Sequence, residues 1–417
     1  MLVQGWPLVK GRGEMMRCNR RELLLRLVAA GVTTGIASVL TSNARAETGR
    51  WTFSGDGSVR WEALEILTGN MLLIGAKIEG RPVRALLDSG SGATVISPGL
   101  AGELGIRSDD VRTISGLTGK AAVRLVKNVE VAFGSVTRRL PFALIGELAA
   151  PDRALGRTID VILGADMFTG SCIALDLGAR RFAVAPSGRF APSRGWVAVP
   201  LGRGDRQELF VLASIAGREP VPLMLDLGST AALMLSQAYV DEHGLTGGKP
   251  VSTAALGGVE GVRIVNAFTT DRVALAGLSV SGVPTLAPQS WQSTSTVGNI
   301  GLPLIAQFDV ALDVTAGQVW LRPAPLRERL PMLKDRSGLG LAVGPTALTV
   351  VHVAPGSPAA RAAWSPGEQI VAVDRQAIGP DYNRGSLWRW RYGKKGTVVQ
   401  LATGVGNSRM ITLTDYF

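Results

Sequence analysis

Residues 72–100 and 209–236 are written to one plan. The first copy carries an apolar run to Ile78, a turn at Gly80 and a second apolar run to Leu87. It then reads Asp88-Ser89-Gly90-Ser91 and reaches Val95-Ile96-Ser97. The second carries Leu209 to Ile215, a turn at Gly217 and Val221 to Leu225. It continues Asp226-Leu227-Gly228-Ser229 and reaches Leu233-Met234-Leu235-Ser236. Short runs rich in Val, Leu and Ile, broken by Gly, predict strand, turn, strand, and then a sharp loop bearing an Asp.

The match continues downstream. Gly164 follows Asp88 by 76 residues, and Gly301 follows Asp226 by 75. Another Asp, Asp176 or Asp313, stands 12 residues beyond each of these glycines and precedes a turn and a strand. Four landmarks at near-constant offsets define a duplicated unit, and duplication constrains the fold more than composition does. The expectation is an all-β body of two pseudo-symmetric β-barrel lobes, 61–190 and 196–323, joined through residues 186–196. A length of 417 residues leaves room for a further domain. With 46% apolar and 18% charged residues, a disordered chain is excluded.

The N-terminus reads as a leader. Arg17, Arg20 and Arg21 precede an apolar stretch from Leu23 to Leu40, and Ala44-Arg45-Ala46 fits a small-residue cleavage pattern. Asn19-Arg20-Arg21-Glu22-Leu23-Leu24 is similar to a twin-arginine export signal. Residues 1–46 are therefore expected to be an export signal, with a mature chain near Glu47 in the periplasm or outside the cell. An uncleaved anchor is the alternative, and it is the one route by which this reading brings the chain to a membrane.

Residues 1–46 hold seven Lys/Arg and two Asp/Glu, so without them the formal charge falls from +11 to +6. No run of Lys or Arg is interleaved with aromatics, so nucleic acid is not an expected partner. Cys18 leaves with the leader and Cys172 stands alone between apolar neighbours, which predicts core packing. Only His243 and His352 are present, far apart, which argues against a His triad or a His-rich metal site. No metal and no cofactor are expected.

Asp88-Ser89-Gly90-Ser91 resembles the Asp-Thr/Ser-Gly-Ala/Ser signature of retropepsin-like aspartyl proteases, and Ile162-Leu163-Gly164 resembles the apolar-apolar-Gly element that crosses behind their active-site loop. The resemblance implies catalytic roles for Asp88 and Asp226, with Ser89, Gly90, Gly228 and Ser229 supporting the pair. It implies flaps in the hairpins that carry Gly116 and Gly119 in one lobe and Gly257 and Gly258 in the other. Two carboxylates a few ångströms apart share a proton because repulsion raises one pKa, so one ionised group can activate water while its neighbour donates.

The second copy departs from the family pattern. Where the signature has a Thr or Ser hydroxyl that ties the two catalytic loops together, this copy has Leu227, and Pro303 stands where the first has Asp166. Two other readings therefore remain open: a non-catalytic peptide-binding scaffold, and a protease active only as an Asp88 homodimer.

After residue 326 the composition changes. Ser337-Gly338-Leu339-Gly340-Leu341 resembles the carboxylate-binding loop of PDZ domains, and Gly356-Ser357-Pro358-Ala359 followed by Gly367-Glu368-Gln369-Ile370 is similar to the bacterial form. Residues 327–417 are expected to be a PDZ domain in which Leu339, Gly340 and Leu341 bind a peptide C-terminus or internal motif that adds as a strand. Ser357-Pro358 predicts a capped helix start. Expected partners are thus a polypeptide substrate and a peptide at this domain.

Overall fold

The computed structural model describes residues 36–37, 51–53, 60–116, 120–134, 136–148, 158–205, 207–258, 261–404 and 406–417. The chain is mostly β, with a closed β-barrel. The expected leader lies outside the described residues except for Ile36–Ala37, which pairs antiparallel with Ser115 and Gly116.

Each half begins with an antiparallel hairpin. In the first, Leu72–Ile78 pairs with Arg81–Leu87 across a turn at Glu79 and Gly80, both at positive φ. In the second, Leu209–Ile215 pairs with Val221–Asp226. Residues on one face of each hairpin enter the core, so register is set by burial. The Asp loop follows, then a short strand and a short helix. Ser97 caps Pro98–Glu103 by accepting from Leu100 N, and Ser236 caps Gln237–Glu242 by accepting from Tyr239 N.

A long hairpin comes next in each half: Val111–Gly116 with Lys120–Phe133, and Ser252–Gly258 with Gly261–Leu275. A short strand then returns beneath the Asp loop. Val161–Leu163 runs parallel to Arg81–Leu87 and antiparallel to Val95–Ile96. Gly298–Gly301 runs parallel to Val221–Asp226 and antiparallel to Leu233–Leu235.

The two halves share one sheet. Its strand order is Trp61–Ile66, Arg181–Pro186, Ser171–Asp176, Phe308–Asp313, Gln318–Pro323 and Val197–Arg203. The central pair joins equivalent strands of the two copies, Cys172 facing Asp313 and Leu175 facing Val310, which places the repeat axis between them. Every residue of Phe308–Asp313 is buried. One apolar core draws on both halves, from Leu72, Leu87 and Phe182 to Leu225, Phe308 and Leu321. Asp313 stays in this interior because Ser187 Oγ, Gly188 N and Ala316 N all donate to its carboxylate. Cys172 is buried, and burial pushes its thiol up to about 12, as a packing residue requires.

The C-terminal region has its own sheet and core. Leu339–Val343, Leu348–Val353, Gln369–Val373, Val398–Thr403 and Ser408–Thr412 follow one another in the sheet, with Gln376–Ala377 on Gln369–Val373. Their inner faces pack with Trp364, Tyr382 and Trp388. Ser357 caps Pro358–Arg361 by accepting from Ala360 N, with Pro358 in the first turn. The Leu387–Tyr392 segment forms a 3-10 helix, and Arg391 from it meets Asp335 in a mostly buried ion pair. Among the described residues no helix is long and apolar enough to cross a membrane.

Candidate active site

The hairpin strands Arg81–Leu87 and Val221–Asp226 bring Asp88 and Asp226 to the seam between the halves, and both are fully buried. Each carboxylate is oriented by its own loop. Gly90 N donates to Asp88 Oδ1 at 2.9 Å and Ser91 N to the same oxygen at 3.1 Å. Gly228 N donates to Asp226 Oδ1 at 3.0 Å. The two carboxyl groups also share a side-chain hydrogen bond.

The two glycines show how close the loops stand. A Cβ on Gly90 would lie 2.5 Å from Asp226 Oδ1, and one on Gly228 would lie 2.3 Å from the Asp88 carboxyl carbon. Each loop therefore seats the opposite carboxylate on a residue with no side chain, and any substitution there pushes the pair apart. The crossing strands impose the same demand from behind. A Cβ on Gly164 would meet the Ala93 carbonyl at 2.5 Å, and one on Gly301 the Ala231 carbonyl oxygen at 1.9 Å.

The Ser89 hydroxyl ties the two loops together through backbone. Ser89 Oγ donates to Leu225 O at 2.7 Å and accepts from Leu227 N at 3.0 Å, so a first-half side chain bridges backbone of the second. Leu227 offers no reciprocal bond and is buried in the shared apolar core. Ser229 stays within its own loop, its hydroxyl 3.4 Å from Ala231 O. Asp166 braces the first half by accepting from Thr94 N at 2.9 Å and Thr94 Oγ1 at 2.8 Å. Burial pushes the Asp166 carboxyl up, opposed by these bonds and by Arg138. Pro303, buried at the equivalent place, has no side-chain acceptor for such bonds.

Burial is the largest influence on Asp226 and pushes its carboxyl up to about 6. Hydrogen bonds from Asn299, Gly228, Asp88 and Ser229 pull the other way. The Asn299 contact escapes the sequence pattern: its Nδ2 donates to Asp226 Oδ2 at 2.8 Å, and the residue is fully buried. The available signal was a polar residue in an otherwise apolar strand, where the first copy has Ile162.

Of the hairpin glycines, Gly116 ends the strand Val111–Gly116 and Gly119 lies outside the described residues. Gly257 and Gly258 close the second hairpin, paired with Val262 and Gly261. In the C-terminal region Leu339 and Leu341 point into the local core, and a Cβ on Gly340 would lie 2.8 Å from Ala255 Cβ of the second hairpin. Thr253 Oγ1 lies 2.9 Å from His352 Nε2 and Ser252 Oγ donates to Pro355 O at 2.7 Å, so this hairpin rests on the C-terminal sheet. A cavity of about 170 Å³ lies between them, lined in part by Ala255, Leu286, Leu339, Leu341, His352 and Trp388. Among the described residues no three His, Cys, Asp or Glu side chains are grouped to hold a metal ion.

An all-β body whose paired Asp loops are each crossed by a short strand leading to a glycine, Gly164 or Gly301, has the retropepsin-like fold. In agreement, residues 74–167 match the family model described as aspartyl protease. A stretch of 111 residues is 30% identical to the DNA damage-inducible protein 1 of two strains of Cryptococcus neoformans var. neoformans serotype D. That stretch is 26% of this chain and 24% of the fungal protein, so the chain spans about a quarter of the length of the curated relatives it matches.

Proposed function

We propose that the chain is an aspartic endopeptidase whose Asp88 and Asp226 act as one catalytic pair within a single molecule. The carrying observation is the reciprocal seating of each carboxylate on the other loop's glycine, which needs both halves of one chain. A single-chain pair accounts for this packing without the Asp88 homodimer. The family match over residues 74–167 supports a peptidase reading for the first half.

In this reading a water molecule lies between the carboxylates and a peptide carbonyl. The ionised Asp takes a proton from the water as its oxygen attacks the carbonyl carbon, while the protonated Asp donates to the carbonyl oxygen. The tetrahedral diol then collapses: the Asp that took the water's proton gives a proton to the amide nitrogen, the other Asp takes one back from a diol hydroxyl, and the C–N bond breaks to release acid and amine. Backbone donors from Gly90, Ser91 and Gly228 hold the pair in place, so little reorganisation accompanies the step.

The C-terminal sheet is the proposed PDZ-type module. Because Leu339 and Leu341 are buried, a peptide there would be held by backbone groups of the Leu339–Val343 edge strand. The proposed setting is the periplasm or the cell exterior, reached through the twin-arginine motif. Replacing Arg20 and Arg21 with Lys should leave precursor in the cytoplasm, and normal export would refute that route.

The deciding experiment is cleavage of an unfolded protein mixture from acidic to neutral pH, with and without pepstatin. Asp88→Asn and Asp226→Asn should each lower turnover by about 10²–10⁴-fold. A mixture of the two inactive variants should stay inactive; recovered activity would establish an intermolecular pair instead. The missing hydroxyl at Leu227 favours a second reading, a peptide-binding scaffold. Wild-type protein that binds unfolded chains but never cleaves them would select it.

A further inference from the structure

The cavity of about 170 Å³ joins regions that lie far apart along the chain. Thr230 and Ala231 line it from the loop that carries Asp226, just past the carboxylate in sequence. Ala254 lines it from the hairpin strand Ser252–Gly258, and Leu286 from the strand Leu278–Ala287. Leu339, Leu341 and Trp388 close it from the C-terminal core. These walls are mostly apolar, and the hairpin among them is the one expected to be the second flap.

A loop that captures a terminal carboxylate does so with free backbone N–H groups. Here those groups are engaged from within. Ser337 N and Gly338 N donate to Asp335 Oδ1 at 2.9 and 2.7 Å, and Leu339 N donates to Ser337 Oγ at 3.1 Å. Arg391 holds the other oxygen of Asp335 in a mostly buried ion pair. The chain's own carboxylate thus occupies the anion seat. An incoming carboxylate would have to displace Asp335 and leave Arg391 buried without its partner, which is strongly unfavourable. Gly340 is covered as well, since a Cβ there would lie 2.8 Å from Ala255 Cβ.

We propose that this cavity is an outer subsite of the active-site cleft, taking an apolar side chain from an internal, extended segment of the polypeptide substrate and not a free C-terminus. The proposal rests on the peptidase reading for its substrate and on the PDZ-type reading for the edge strand. Continuity of the cavity with the Asp226 loop names the occupant. A chain lying across Asp226 passes Thr230 and Ala231, and at about 3.3 Å per residue a few more residues bring it to Leu339 and Leu341. There it meets the Leu339–Val343 strand, which ends its sheet.

The test is binding to full-length Asp226→Asn protein, which leaves its peptides uncut. Immobilised protein is offered decapeptides with apolar residues at alternate positions, acetylated at the N-terminus and ending either as free acid or as amide. The two forms should be held within about twofold of each other, because no terminal carboxylate is read. A preference of about tenfold or more for the acid would overturn the proposal and leave the PDZ-type reading standing. Ala254→Trp, which fills the cavity from the hairpin, should weaken binding about tenfold or more, as exclusion of one buried apolar side chain requires. Unchanged binding in that variant would also overturn the proposal. Should Ala254→Trp fail to fold, Leu286→Trp blocks the same cavity from the neighbouring strand and is held to the same outcomes. Capture of neither peptide form would overturn the proposal and the PDZ-type reading together. The expected binding pattern in a protein whose wild type cleaves nothing would sink the peptidase reading alone.

Discussion

Removing the Ser89 hydroxyl tests the junction between the halves most directly. The side chain is 1% exposed and makes two bonds across the seam, to Leu225 O at 2.7 Å and from Leu227 N at 3.0 Å. Ser89→Ala loses both. A buried hydrogen bond contributes roughly 0.5–1.5 kcal/mol net, and a buried donor left without an acceptor costs about 1–3 kcal/mol more. The expected loss is about 2–4 kcal/mol, read as a lower urea midpoint at unchanged m-value. If about 1.5 kcal/mol of that is felt in the transition state, kcat/KM falls roughly tenfold. Ser229→Ala is the matched control, because that hydroxyl reaches only Ala231 O of its own loop at 3.4 Å. It should cost less than about 1 kcal/mol. A Ser89→Ala protein within about 0.5 kcal/mol of wild type and fully active would refute the one-sided tie, since surface-like values of that size mean no buried bond was lost.

Asp226 binds its proton more tightly in the folded chain, about 6 against 3.8, so its contribution to stability is complete below pH 3.8 and is lost as pH rises through about 6. Across that window wild type should lose stability relative to Asp226→Asn, and parallel stability–pH curves would refute the burial argument. Leu227→Thr should restore the second tie and raise kcat/KM about two- to tenfold, while lost apolar burial costs about 2 kcal/mol of stability. A clear fall in kcat/KM would show that packing of Leu227 itself holds the loop.

The sequence carried the repeat, the two Asp loops and the crossing strands because each is a local pattern of apolar runs and glycines. The capping of Pro358–Arg361 by Ser357 was equally local, a hydroxyl accepting from an N–H three residues on; the caps at Ser97 and Ser236 are as local but went unread. Leu227 stood out for the same reason, by comparison of one copy with the other.

What the tertiary structure decided is which distant groups meet. Ser89 and Leu227 are 138 residues apart, and no local pattern states that a hydroxyl in one copy satisfies the backbone of the other. Asn299 reads along the chain as a polar interruption of a strand; its meaning depends on the parallel register that sets Gly301 beside Asp226. The hairpin Ser252–Gly258 likewise reads as a flap, and only packing shows that Thr253 and Ala255 lean on the C-terminal sheet. Propensity and periodicity determine elements over a few residues. Hydrogen bonds between elements follow from how two curved sheets settle on a common core, and that geometry belongs to the folded chain.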